Sequence, residues 1–407
     1  MQRNNLILEI TFALLLGITA GTITGLIPGI HINLIAVILL ANLSNLTSFQ
    51  PTVLAIFIVS MATTHTFIDF IPSVFLGAPE EDTFLSILPG HEMLKEGKAH
   101  EAIILTLYGS LFAFLVILFF TPIFIIFIPI IYPTIHLALP ILLIFISSYL
   151  ILREKYILTS LIVFLLSGFL GFSSLNIPIN QPLIPLLTGL FGTSALIISL
   201  KDKPSIPPQN ICKLKEVIPT KKDFFKSIFG ASISAPLCSF LPGIGSGHAA
   251  VIGSELVEQS KKSFMMLLGA INTIVITLSF VTLFIINKTR TGSAVAINKL
   301  MPSLTQTDLI TLLIFSFISG LIAFFIALFI SKFFSSNINK INYRFLSITI
   351  IGFLTILTIF FTGIIGLLIL IASTALGIFA IKSAIRRINL MGVLLIPTII
   401  FYITSYF

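Results

Sequence analysis

Long apolar runs, each interrupted by a few polar or turn-forming residues, set the plan of this chain. They fall at about 6–27, 31–47, 52–77, 101–131, 134–152, 156–175 and 183–200, then at about 224–241, 246–258, 263–287, 308–332, 343–361, 363–381 and 388–406. Runs of 18 or more apolar residues cross a hydrocarbon core about 30 Å thick as helices. A transmembrane barrel would instead show alternating strands of about ten residues. The pattern predicts an all-α polytopic membrane protein with about 10–14 hydrophobic segments.

Between the two sets of runs lies "KDKPSIPPQNICKLKEVIPTKKDFFK" (201–226), with seven Lys, three acids and four Pro. It reads as a basic linker on the cytoplasmic side. The division is therefore 1–200 as a first transmembrane repeat, 201–222 as linker and 223–407 as a second repeat. Pro28-Gly29-Ile30 matches Pro242-Gly243-Ile244, each after a first apolar run and before a short second one. "MATTHTFIDFIPSVF" (61–75) answers "GAINTIVITLSFVTLF" (269–284), which sets His65-Thr66 against Asn272-Thr273. Seven runs per half is an odd number, so the topology is inverted if all of them cross. The short runs 31–47 and 246–258 are re-entrant in the alternative. Internal repeats are a common plan of secondary transporters, with the substrate held between them near mid-membrane.

Proline ends a helix and glycine lets the chain turn, so each PGI predicts a broken or re-entrant helix. The restarted helix offers unpaired N–H groups and the positive end of its dipole. The residues 28–33 and 242–248 are expected to be non-helical and to face one another. Pro28, Gly29, His31 and Asn33 from the first loop, with Pro242, Gly243, Gly245, Ser246, Gly247 and His248 from the second, form a candidate anion site. Thr64, His65, Thr66, Asn272 and Thr273 would complete it with side chains. The alternative is a pair of proline kinks packed by small residues.

The remaining chemistry is sparse. His65 and Asp69 lie four apart inside an apolar run and make a proton- or sodium-coupling pair, or else a structural pair near the interface. Glu255 is a further coupling candidate, or a solvated helix end. The acidic stretch "PEEDTFLSILPGHEMLKEGKAHEAI" has no metal-ligand spacing and reads as a surface helix. No nucleophile elbow, Walker loop or paired Cys motif occurs, so no enzyme, cofactor or metal is assigned. Cys212 and Cys238 read as free thiols.

Composition agrees with this pattern. The hydrophobic fraction is 57%, the charged fraction 9% and the mean hydropathy +1.13. The net charge of +8 resides in short loops and points to membrane orientation, not nucleic acid.

The two PGI elements, "GAP" at 77–79, "PGHEMLKEGKAHEA" at 89–102, "GAINT" at 269–273 and "KTRTGSAVAI" at 288–297 together resemble the large membrane subunit of the tripartite tricarboxylate transporters, the TctA type, and especially its stand-alone archaeal relatives. The resemblance covers most of the chain. It implies a cell-membrane permease for a small anion, a di- or tricarboxylate, coupled to H+ or Na+. It also implies a small membrane subunit and an extracellular binding protein as partners. A translocase for a lipid-linked phosphate such as polyprenyl phosphate, and an intramembrane lipid-modifying enzyme, are the two alternatives.

Overall fold

The computed structural model describes residues 2–27, 49–77, 83–202, 206–240, 245–289, 291–338 and 343–404. Among them, eight helices are long and apolar enough to cross a membrane. Helix α1 is Gln2–Leu26 and α2 is Pro51–Ile68; α3, Phe70–Leu76, continues α2 beyond Asp69. A 3-10 turn at Phe84–Ser86 leads into α4, Ile87–Lys95. Next come α5, Ala99–Leu152, α6, Ile157–Asn176, and α7, Leu183–Leu187, which runs through a π-helical stretch at Thr188–Thr193 into α8, Ser194–Asp202. The second set holds α9, Lys221–Phe240, α10, Ser246–Leu256, α11, Lys261–Ile286, α12, Gly292–Leu300, and α13, Gln306–Asn337. The stretch α14, Tyr343–Lys382, is two helical segments that meet at a kink at Gly363, whose φ of 67° is non-helical. A 3-10 turn at Arg387–Met391 and α15, Gly392–Thr404, complete the fold.

Two spans form the centre. The α2–α3 span is 89% buried and α11 is 83% buried, against 22–44% for the other six. The two run antiparallel: Asp69 meets Asn272, while Thr63 and Thr277 both reach Ser316. Each carries a parallel partner. Gly17, Gly21 and Gly25 of α1 lie against Ser60, Thr64 and Ile68 of α2, where an added Cβ would stand 2.7–2.8 Å from each side chain. Spacing of four places these glycines on one stripe, and small residues let apolar helices approach closely in lipid. In the second set, α9 runs beside α11 in the same sense, with Ser260 bonded to Asp223 at one end and Thr282 to the Ser239 carbonyl at the other.

Helices α9 and α10 pack as a hairpin. Lys226 Nζ donates to the Glu258 carbonyl at 2.6 Å, and Gly230 and Ser234 of α9 pack on Gly253 of α10. The outer ends of the hairpin therefore lie together. With 11 residues, α10 is about 16 Å long, too short to cross a hydrocarbon core of about 30 Å. The expectation that all of 242–248 is non-helical is corrected here: α10 begins at Ser246, because His248 Nδ1 accepts from the Gly245 N–H at 3.1 Å and so closes the first turn. Residues 28–48, and with them the first PGI and His31 and Asn33, lie outside the described residues, as do Pro242 and Gly243.

Two other boundaries differ from those that hydrophobicity predicts. The runs 101–131 and 134–152 belong to one helical stretch of 54 residues, about 81 Å if straight. Its two ends border the same cavity, lined by Glu92 near one and Arg153 at the other, so the stretch folds back on itself. The linker is docked rather than loose: Gln209 accepts from the Ala99 N–H and donates to the Leu94 carbonyl, and the Asn210 N–H bonds the Gly97 carbonyl.

The linker marks a basic face. There Lys261 pairs with Glu92 at 2.7 Å and with Glu96, Lys262 with Glu101, Arg153 with Glu255, and Arg386 with Glu154 and Glu255. Such exposed pairs contribute little individually, but here they tie α4, α5, α10, α11 and the α14–α15 junction together. Beneath them His91 is buried, its Nδ1 on the Val74 carbonyl at 3.0 Å. Burial pushes its pKa down to about 4. The folded chain therefore resists a proton that the unfolded chain accepts below about 6.5. Stability should fall as the pH drops from 6.5 towards 4, by up to about 3 kcal/mol. Thermal unfolding in detergent at pH 7 and pH 5 checks this: His91→Gln should flatten the acid loss, and an equally steep loss in the variant would exclude His91 as its source.

Candidate functional site

The centre of the bundle should be apolar, yet the buried face between α1, α2 and α11 carries a connected set of polar side chains. Thr24 Oγ1 lies 3.0 Å from His65 Nδ1, His65 Nε2 lies 4.0 Å from Asp69 Oδ2, and Asn272 Nδ2 donates to Asp69 Oδ2 at 2.8 Å. Thr24 is 4% exposed and the other three 2% or less. The spacing of four sets His65 and Asp69 on one helical face. Asp69 sits where α2 passes into α3, and Ser73 donates back to its carbonyl at 3.2 Å. An ionisable residue at such depth is costly.

The chain of contacts continues towards the α9–α10 hairpin. Ser73 Oγ lies 2.7 Å from Thr83 Oγ1. The next residue, Phe84, packs on the first turn of α10: a Cβ on Gly247 would stand 2.8 Å from its ring. Glycine at 247 is therefore a close-approach position, where a larger residue would require the Phe84 ring to shift. In this turn Ser246 and His248 are buried, and Ser246 Oγ has no hydrogen-bond partner. Thr64 Oγ1, Asn272 Oδ1 and Thr273 Oγ1 are likewise buried without one. Each such atom costs about 1–3 kcal/mol.

A second hydroxyl pair lies at the other end of α11. Ser279 Oγ lies 3.0 Å from Thr291 Oγ1, which accepts from the Ala294 N–H and starts α12 inside the span. Ser73–Thr83 and Ser279–Thr291 are alike: in each set the long buried helix holds the following polar segment through one Ser and one Thr.

The structure thus brings His65, Asp69 and Asn272 together and adds Thr24, which sequence reasoning passed over. Thr24 lies on the same helix as the glycine stripe, and that stripe was the available signal. Thr66 turns back on the Thr63 carbonyl at 2.8 Å. Thr64 lies under Gly21. Glu255 sits on the basic face, paired with Arg153 and Arg386, and is separate from the Asp69 cluster. Among the described residues no group of three or more His, Cys, Asp or Glu could hold a metal.

The sequence profile of the Tripartite tricarboxylate transporter TctA family matches residues 11–392. An uncharacterized protein of Methanocaldococcus jannaschii is 33% identical over 408 residues, covering 96% of this chain and 98% of that protein. No solved structure matches. The chain belongs to the Tripartite tricarboxylate transporter TctA family, and is a multi-pass membrane transporter, not an enzyme.

Proposed function

We propose that this transporter is a secondary permease that moves a small organic anion, a di- or tricarboxylate, with H+ or Na+. In this reading 1–200 and 223–407 are inverted repeats joined by 201–222. The antiparallel course of α2 and α11, each with its parallel partner α1 or α9, supports that reading. The observation that carries the function is the Asp69 carboxylate held by Asn272 and flanked by His65 at the interface of the two central spans. A carboxylate there takes up and releases a cation as the spans shift against each other. The start of α10 turns its N–H groups and dipole towards mid-membrane and supplies the anion end. The buried oxygens of Ser246, Asn272 and Thr273 are groups that a polar substrate or ion would satisfy. The loops at 28–33 and 241–244 would add their backbone groups.

The linker's basic face is cytoplasmic in this scheme. A small membrane subunit and an extracellular binding protein are the expected partners. Uptake of labelled succinate and citrate into liposomes holding the purified chain, under an imposed sodium or pH gradient, tests the reading. Gradient-stimulated uptake by the chain alone is expected if it acts without partners, or upon adding the two partners if it does not. Absence of carboxylate uptake in both cases, with binding of polyprenyl phosphate instead, would replace the carboxylate by a lipid-linked phosphate.

A further inference from the structure

Arg387 is the one described guanidinium that is buried, at 9% exposed. It lies at the turn between α14 and α15, beneath the ion pairs of the basic face. Its Nη2 donates to the Leu190 carbonyl at 3.0 Å, to the Phe191 carbonyl and to Ser194 Oγ. The first two carbonyls belong to the π-helical stretch, whose wide turns occur often at functional positions. The guanidinium lies 5.4 Å from the Phe191 ring centre. None of these partners carries charge. The nearby carboxylates are committed elsewhere, Glu154 to Arg386 and Glu92 to Lys261. Arg387 Nε is buried and has no hydrogen-bond partner.

A buried cation without a counter-ion costs several kcal/mol even after relaxation. Carbonyl dipoles and an aromatic face offset part of this and leave the Nε–H unused. A cavity of about 290 Å³ lies against Arg387. Its walls are Ile87, Ile198, Ile381 and Ile385; its charged rim holds Glu92, paired with Lys261, Arg386, paired with Glu154, and Lys95, which makes no ion pair among the described residues. Its volume is near the lower end for a small-molecule site. The guanidinium's planar donors suit the oxygens of a carboxylate or phosphate.

We propose that this cavity is an oxyanion site on the basic face, separate from the Asp69 cluster, in which a phosphate group pairs with Arg387 and Lys95 while the isoleucines hold a short apolar body. The phosphate comes either from a free solute or from the headgroup of a membrane lipid, since the cavity borders the outer helix α14.

Purified full-length chain in uncharged detergent is titrated with inorganic phosphate by calorimetry, at fixed ionic strength set with chloride. In parallel it is placed in nanodiscs of phosphatidylcholine with or without phosphatidic acid, and retained lipid is counted by native mass spectrometry. Binding in the first arm marks a free solute, and binding in the second alone marks a lipid. Ile381→Trp fills the cavity without touching a charge, and Lys95→Ala and Arg387→Gln remove the cations. Each should weaken binding by about tenfold or more, the scale of a lost hydrogen bond to a charged group. Should Arg387→Gln fail to fold, Ile381→Trp and Lys95→Ala decide alone. Binding of neither probe by the parent, or binding that Ile381→Trp leaves unchanged, overturns the proposal.

Discussion

Asp69→Asn should reduce gradient-driven uptake to background while leaving substrate counterflow and the fold in place. The substitution is nearly isosteric, and its amide oxygen still accepts from Asn272 Nδ2, which now stands 2.8 Å from Asp69 Oδ2. The variant cannot carry a negative charge, and one carboxylate oxygen becomes an NH2 donor. A transporter that exchanges substrate for substrate needs no net movement of the coupling ion, whereas accumulation against a gradient does. Counterflow therefore reports the substrate path, and accumulation reports the carboxylate. His65→Gln serves as companion. Its ring touches Thr24 and lies 4.0 Å from Asp69, so its loss should weaken accumulation while sparing counterflow. Normal accumulation by Asp69→Asn would remove this residue from coupling. Loss of counterflow together with accumulation would assign Asp69 to the substrate path or to the fold.

Much of this centre is legible in the amino-acid sequence, because burial in lipid leaves a strong mark on it. His65 and Asp69 stand out as ionisable residues in an apolar run, and the register between 61–75 and 269–284 leads to Asn272, which bonds Asp69. The proline-glycine break at 242–243 signals the α9–α10 hairpin. Other features depend on pairings that local pattern does not carry. Arg387 looks like one more basic loop residue in "IRRIN" until the carbonyls of Leu190 and Phe191, almost two hundred positions away, are found around it. Glu255 reads as a coupling candidate or a solvated helix end until the short α10 is seen to place it on the basic face beside Arg153. The runs 343–361 and 363–381 read as two segments, and the chain does break between them, at Gly363, whose φ of 67° is not helical. For Arg387 and Glu255 the deciding contact is long-range, and hydrophobic periodicity is blind to it.

Gly269→Leu should prevent folding, while Gly352→Leu should leave the protein intact. Gly269 lies on α11 where α5 crosses it. A Cβ there would run into the Thr106 carbonyl and stand 2.9 Å from the Thr106 Cα. The obstacle is backbone, which cannot rotate away as a side chain does. The same crossing is tied by Ser110 Oγ donating to the Gly269 carbonyl at 3.0 Å, and Gly109 meets Met266 and Ala270 just as closely from the other helix. Separating the helices to admit a leucine would break this bond and open the most buried face of α11. Overpacking a core costs about 1–3 kcal/mol when side chains can adjust. Against fixed backbone the cost should exceed that range and consume much of a total stability of about 5–15 kcal/mol. Gly352, by contrast, has nothing within 4 Å of an added Cβ. It sits in α14, where leucine is the better helix former by nearly 1 kcal/mol. Expression level, monodispersity in detergent and the thermal unfolding midpoint distinguish the two. A well-folded Gly269→Leu with an unchanged midpoint would mean that α5 and α11 do not pack backbone to backbone, and the antiparallel centre built on α11 would have to be redrawn.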